Sequence, residues 1–147
     1  AQSIRVRSTL DARRSLDAQM IVPFRESTFV NGMSGGLGPA SYDIHIKESC
    51  VIWPRQLILV STEERFEIPT DILATIADKS SWVRKGLAVQ NTVIDPGFRG
   101  YITLELTNHT TLSRIEIIEG TPIAQIIFHL LDEPTEKPYK GKYQDHC

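Results

Sequence analysis

Cysteine is scarce in this chain of 147 residues, with only Cys50 and Cys147 present. Two thiols build no disulfide framework, and such sparing use fits a reducing, cytoplasmic setting. Long apolar runs are also missing. The most hydrophobic stretch, 125–131, is broken by His129 and falls far short of a membrane span, so no membrane role is expected. The first residues carry Arg5, Arg7, Arg13 and Arg14 without an apolar run, so no secretory signal is expected. Net charge is −2 and the basic residues are scattered. Duplex binding needs a concentrated basic face, so nucleic acid is excluded as the main partner. A small anionic ligand needs only a few local donors and stays open.

Familiar chemical signatures are absent too. The four histidines, His45, His109, His129 and His146, form no metal-ligand spacing with each other or with cysteine. No H-x-E is paired with P-C-x-x-C, so zinc-dependent deamination is excluded on sequence grounds. There is no G-x-S-x-G, Walker A or dinucleotide fingerprint. The glycines of 32–38 are not followed by a lysine-bearing helix.

What is present suits one domain, residues 1–147, with a proper core: 41% of residues are hydrophobic and 23% charged. Residues 9–20 have the spacing of a short N-terminal helix. The stretch 31–39, with four glycines in nine residues, reads as a loop. Elsewhere the pattern is that of short strands: 20–24, 41–46, 51–53, 56–61, 66–68, 87–90, 101–108, 113–118 and 123–130, with 71–76 ambiguous between strand and helix. Turn signals recur at Gly97, Gly100, Gly120 and Pro122. This spacing predicts a mainly β, antiparallel jelly roll.

Two segments hold the candidate chemistry. In 79–87, Lys79, Ser80, Ser81 and Arg84 place hydroxyls and a guanidinium on a turn, the usual parts of a polyphosphate site. The same residues also fit a solvated, serine-capped helix start. In 94–106, Asp95 precedes a Pro-Gly turn, and Glu105 interrupts an apolar strand. Alternation puts Ile102, Leu104 and Leu106 on one face and Thr103, Glu105 and Thr107 on the other. A carboxylate buried there costs several kcal/mol unless paired or neutral. Glu105 thus reads either as a general acid/base in a pocket or as part of a wet face. Asp95 reads as a ligand-facing carboxylate or a turn aspartate.

Taken in order, 39–44 (Pro-Ala-Ser-Tyr-Asp-Ile), 79–87, 94–100 (Ile-Asp-Pro-Gly-Phe-Arg-Gly), 120–125 (Gly-Thr-Pro-Ile-Ala-Gln) and 138–144 (Pro-Tyr-Lys-Gly-Lys-Tyr-Gln) resemble the five motifs of the dCTP deaminase and dUTPase superfamily, on its deaminase-like branch. The resemblance implies a distorted dUTPase-like jelly roll, assembled as a homotrimer with active sites shared between subunits. It implies a pyrimidine deoxynucleoside triphosphate as substrate, with Mg²⁺ travelling on the triphosphate and no zinc. By position, Ser80, Arg84 and Glu105 match the deaminase catalytic set, and Asp95 matches the catalytic aspartate of a dUTPase. Lys79, Ser80, Ser81, Gln125, Tyr139 and Lys142 fall to substrate binding, the last two and the serines as phosphate ligands. Asp95 would meet the 3′-hydroxyl, and Phe98 would pack beneath the sugar. The stretch from Ser80 to Asp95 is shorter than in typical deaminases and more like certain dUTPases, which leaves Gln90, Asn91, Thr92 and Val93 to face the base. His146 stands where the family tail has a glutamine near the base. The implied activity is hydrolytic deamination of dCTP to dUTP, alone or continuing to dUMP. A dUTPase is the alternative, and a non-catalytic nucleotide-binding regulator the third. The tail, lying at the chain's end, is expected to be mobile without ligand.

Overall fold

The structure, a computed structural model, describes residues 4–6 and 20–145. The helix expected over 9–20 and the base-facing role of His146 lie outside the described residues. Strands dominate: β1 (Ile4–Val6), β2 (Ile21–Val22), β3 (Thr28–Val30), β4 (Met33–Leu37), β5 (Tyr42–His45), β6 (Cys50–Ile52), β7 (Leu57–Glu67), β8 (Ile72–Asp78), β9 (Leu87–Val89), β10 (Arg99–Asn108), β11 (Ile115–Ile117) and β12 (Pro122–Leu131). One short helix, α1 (Ser80–Val83), separates β8 from β9. The pairings are antiparallel. A six-stranded sheet runs β1-β12-β5-β4-β3 with β8 on the other side of β12, a four-stranded sheet runs β2-β7-β10-β9, and β11 pairs with β6. The mainly β, antiparallel expectation holds.

Two local expectations are corrected, and one left open is decided. The glycine-rich 31–39 is not a loop: it turns at Asn31 and Gly32 and then forms β4, paired with β3 and β5. Its glycines permit close approach. A Cβ on Gly35 would lie 2.7 Å from His45 Nε2 and 2.9 Å from Pro122 Cγ, a packing only glycine tolerates. The segments 56–61 and 66–68 join into the single strand β7, whose register against β10 slips between Tyr101 and Thr103. Thr62 fills the slip, its hydroxyl accepting from Ile102 N–H (3.1 Å) and donating to the Glu64 carbonyl (2.7 Å). The ambiguous 71–76 is strand, β8.

The core lies between the sheets, where Tyr42, Ile44, Phe66, Leu104, Leu106 and Ile126 are essentially inaccessible. Along β10 the alternation is as read from sequence: Ile102, Leu104 and Leu106 are buried, and Glu105 and Thr107 are half-buried on the opposite face. The fully buried carboxylate is a different one. Glu64 accepts from His45 N–H (3.0 Å), and its other oxygen lies 2.6 Å from His45 Nδ1, with both side chains at 0% exposure. This pair ties the six-stranded sheet to the four-stranded one, and it meets the requirement that buried charge be partnered.

Candidate active site

Chain direction decides what reaches the surface beside Glu105. After β8 the backbone leaves the six-stranded sheet, makes α1, turns at Gly86 (φ +91°) and enters the four-stranded sheet as β9. Beyond Val89 it runs alongside β10: Gln90 N–H donates to Glu105 O (2.9 Å), and Thr107 Oγ1 donates to Gln90 Oε1 (2.6 Å). The Asn91 side chain continues this ladder, donating to Thr103 O (2.8 Å) and accepting from Glu105 N–H (3.0 Å). The turn at 95–98 is closed by Phe98 N–H to Asp95 O (3.1 Å), with Gly97 at φ +90°.

A cavity of about 530 Å³ opens between this segment and the outer face of β7 and β10. Asn91, Thr92, Val93, Asp95, Phe98, Thr103, Glu105 and Tyr139 of the residues considered above line it, as do Leu59, Ser61, Tyr101 and Tyr143. Phe98 forms its buried floor, and Leu59 stands directly across the ladder from Glu105. Among the described residues, Asp95 and Glu105 are the only carboxylates in the lining. Tyr101 was legible, since it shares the Thr103–Glu105 face by alternation; Leu59 and Ser61 come from cross-strand register, which one strand's sequence does not reveal.

The tail packs against the 95–98 turn of its own chain. Tyr139 N–H donates to Pro96 O (2.8 Å), and its ring meets Phe98 edge-on at 5.6 Å. The Tyr139 hydroxyl accepts from Tyr143 N–H (3.1 Å), which leaves its own proton for a further acceptor such as a phosphate oxygen. Lys142 lies outside the lining, its ammonium 5.0 Å from the centre of the Tyr143 ring.

The residues of 79–87 are elsewhere. Ser80 and Ser81 on α1 and Arg84 at its C-cap are exposed, and none lines the cavity. No serine caps the helix: Lys79 is the N-cap residue, without a side-chain cap bond. Lys79 itself is buried, its ammonium 3.0 Å from Ser34 Oγ and 3.3 Å from Asp43 Oδ1. It therefore braces α1 from beneath. Gln125 does the same from β12, donating to Asp78 O (2.9 Å) and accepting from Ser41 Oγ (2.9 Å). Trp82, buried, donates its indole N–H to Pro122 O (2.9 Å). Gln90 is likewise outside the cavity, its carbonyl taken by Thr107.

For metals, the one cluster of three potential ligands among the described residues is His45, Glu63 and Glu64. It is internal: the His45–Glu64 pair is sealed, and Glu63 is held by both its oxygens to Arg25 (2.8 and 2.9 Å).

Set against known proteins, the chain matches a family model described as dCTP deaminase-like over residues 40–131. It is 36% identical to the dCTP deaminase of Campylobacter fetus, with 90% of this chain and 88% of that one covered. It is 37% identical to the dCTP deaminase of Metallosphaera sedula, over 74% of this chain and 63% of that one. Among solved structures, the Agrobacterium tumefaciens 2′-deoxycytidine 5′-triphosphate deaminase superposes with a TM-score of 0.71 at 16% identity, covering 86% of this chain and 49% of that one. EIAV dUTPase superposes with a TM-score of 0.60 at 20% identity, covering 95% and 98%. By family model and by sequence identity, the chain belongs to the dCTP deaminase-like family.

Proposed function

We propose that this protein is a hydrolase that converts dCTP and water to dUTP and ammonia in pyrimidine deoxynucleotide metabolism. The observation that carries the reading is Glu105, a carboxylate on the wall of a cavity floored by an aromatic ring, in a chain related to dCTP deaminases. Glu105 takes a proton from water, whose oxygen attacks C4 of cytosine. The carboxylic acid then returns that proton to the 4-amino group, the C4–N bond breaks, and ammonia leaves. A carboxylate suffices as base, so the reaction is written without zinc. Phe98 supports the sugar, Asp95 meets the 3′-hydroxyl, and Thr92 and Val93 face the base. Tyr139 and Lys142 take phosphate oxygens.

Ser80, Ser81 and Arg84 complete the site from a neighbouring subunit of a homotrimer. Their exposure on a braced helix, outside their own chain's cavity, supports that assignment. Among the described residues the cavity offers only two carboxylates and no preformed cluster, which suits Mg²⁺ arriving on the triphosphate. Bound there, the ion offsets phosphate charge. A cytoplasmic location fits this chemistry, and among the described residues no helix is long and apolar enough to cross a membrane.

A second reading has its own support. Asp95 is exposed in the same cavity, and the fold is shared with dUTPases over 95% of the chain. In that reading Asp95 activates a water that attacks the α-phosphorus of dUTP, giving dUMP and pyrophosphate, alone or after deamination. Incubation with dCTP and with dUTP, assaying ammonia and pyrophosphate separately, tests both. Ammonia from dCTP is the expected result. Pyrophosphate from dUTP without ammonia from dCTP overturns it in favour of the dUTPase, and binding without either product leaves a regulator. Light scattering at micromolar concentration is expected to give a trimer; a monomer contradicts the shared site.

A further inference from the structure

The tail segment 138–145 makes more polar contacts with the 96–99 turn than a passing loop requires, and one side chain, Gln144, meets the turn's backbone with both ends of its amide. Arg99 N–H donates to Gln144 Oε1 (2.6 Å), while Gln144 Nε2 donates to Gly97 O (2.9 Å) and Tyr139 O (3.2 Å). The amide thus acts as a one-residue strand partner for the turn, satisfying both a donor and an acceptor of its backbone. Asp145 adds an ionic part. Its N–H donates to Arg99 O (2.7 Å), and its carboxylate lies 3.0 Å from Arg65 Nη2 and 3.0 Å from Arg99 Nη2. Gly97 makes room: a Cβ there would lie 2.8 Å from Pro138 Cβ and 3.1 Å from Tyr139 N. Between the two attachment points, at Pro96 and at 97–99, the tail curls so that Tyr139 and Tyr143 line the cavity.

We infer that Gln144, backed by the Arg65–Asp145–Arg99 ion set, is a positioning residue: it clasps the tail to the 96–99 turn of its own chain and so fixes Tyr139 and Tyr143 over the nucleotide cavity. The inference rests on the nucleotide reading above for the cavity's occupant, but the clasp itself does not. Gln144 is outside the cavity lining; it acts by holding Tyr139 and Tyr143, which are in it. Sequence gave no sign of this, because a glutamine that satisfies a turn's backbone looks like any exposed glutamine.

The experiment compares the wild-type full chain with Gln144→Ala and Gln144→Glu. Backbone amide exchange is read without nucleotide, and the binding of inorganic tripolyphosphate and of dCTP by calorimetry. In Gln144→Ala the amides of Arg99 and Asp145 are expected to exchange about tenfold faster or more, as befits loss of two or three hydrogen bonds, while amides of β12 are unchanged. Tripolyphosphate and dCTP are expected to bind about tenfold more weakly. With turnover, KM rises more than kcat falls. Gln144→Glu keeps the acceptor for Arg99 but loses the donor to Gly97, so partial rescue is expected. Unchanged exchange at Arg99 overturns the clasp. Faster exchange with unchanged tripolyphosphate binding overturns the positioning role and leaves a structural contact. A protein that turns over neither dCTP nor dUTP sinks the proposed reaction, while exchange and tripolyphosphate binding still decide the clasp.

Discussion

The cavity around Glu105 and the helix that carries Ser80 are built in opposite ways. The cavity wall is finished within one chain: Asn91 is bound to the β10 backbone by both ends of its amide, the turn at 95–98 is closed, and the tail is laid over it. Helix α1 is finished only on its inner side. Lys79, Trp82 and Gln125 brace it through Asp43, Ser34, Pro122 and Asp78. Its outer side presents two hydroxyls and a guanidinium for which the described residues supply no partner. A rigid base beneath unspent polar groups is what a residue needs to serve something outside its own chain. The difference between the two regions is therefore the main structural support for a site divided between subunits.

The largest break in this comparison should come from the cavity side. Glu105→Gln keeps the volume and removes the base. Ammonia release is expected to fall by about 10²–10⁴-fold, with dCTP binding within a few-fold of wild type by calorimetry. Normal turnover in this variant returns Glu105 to a structural residue and makes Asp95 and the dUTPase reading the better guide.

Less of this was legible in sequence for the helix than for the strand. Period-two alternation placed Glu105 on the correct face of β10, since that depends only on neighbours along one strand. The serine pair was visible as chemistry, but the burial of Lys79 beside it was not, because its partner Asp43 is far away in sequence and the pairing is tertiary. Glycine counting failed at 33–37 for a similar reason. There glycine allows β4 to pack against His45 and Pro122, and only the assembled sheet shows that need. Glu64 drew no attention within a polar run, yet it is the fully buried carboxylate.

The brace under α1 gives the next effect. The Lys79 and Asp43 side chains are 8% and 10% exposed. Lys79→Met leaves Asp43 buried without its partner, a change expected to cost about 3–5 kcal/mol, read as a lower urea midpoint. Ser81→Ala, on the outer side, is expected to leave the midpoint within about 0.5 kcal/mol of wild type. Equal effects from the two would erase the distinction between the inner and outer sides of the helix.

The smallest effect belongs to the tail. The hydrogen bond and charge of Arg99, with Arg65 also facing it, hold the Asp145 carboxyl below its ordinary range; Glu67, beside both arginines, reinforces the high pKa of Arg99. A carboxyl depressed in the folded state contributes stability above its unfolded pKa, about 3.9, and loses it as pH falls through the folded value. Docking is thus expected to be intact at neutral pH and to loosen only under acid or high salt. NMR titration of the Asp145 side chain checks this, and a midpoint at or above the ordinary aspartate value contradicts it.

Subunit complementation tests the divided site most directly. Arg84→Ala damages only the helix half and Glu105→Gln only the cavity half, so each homotrimer is expected to be nearly inactive. In trimers reassembled from an equal mixture, about one quarter of the interfaces should join an intact helix to an intact cavity. Ammonia release from dCTP is predicted to return to about one quarter of wild type. If the mixed trimers stay as inactive as their parents, both halves act within one chain, and the account of a shared site is wrong.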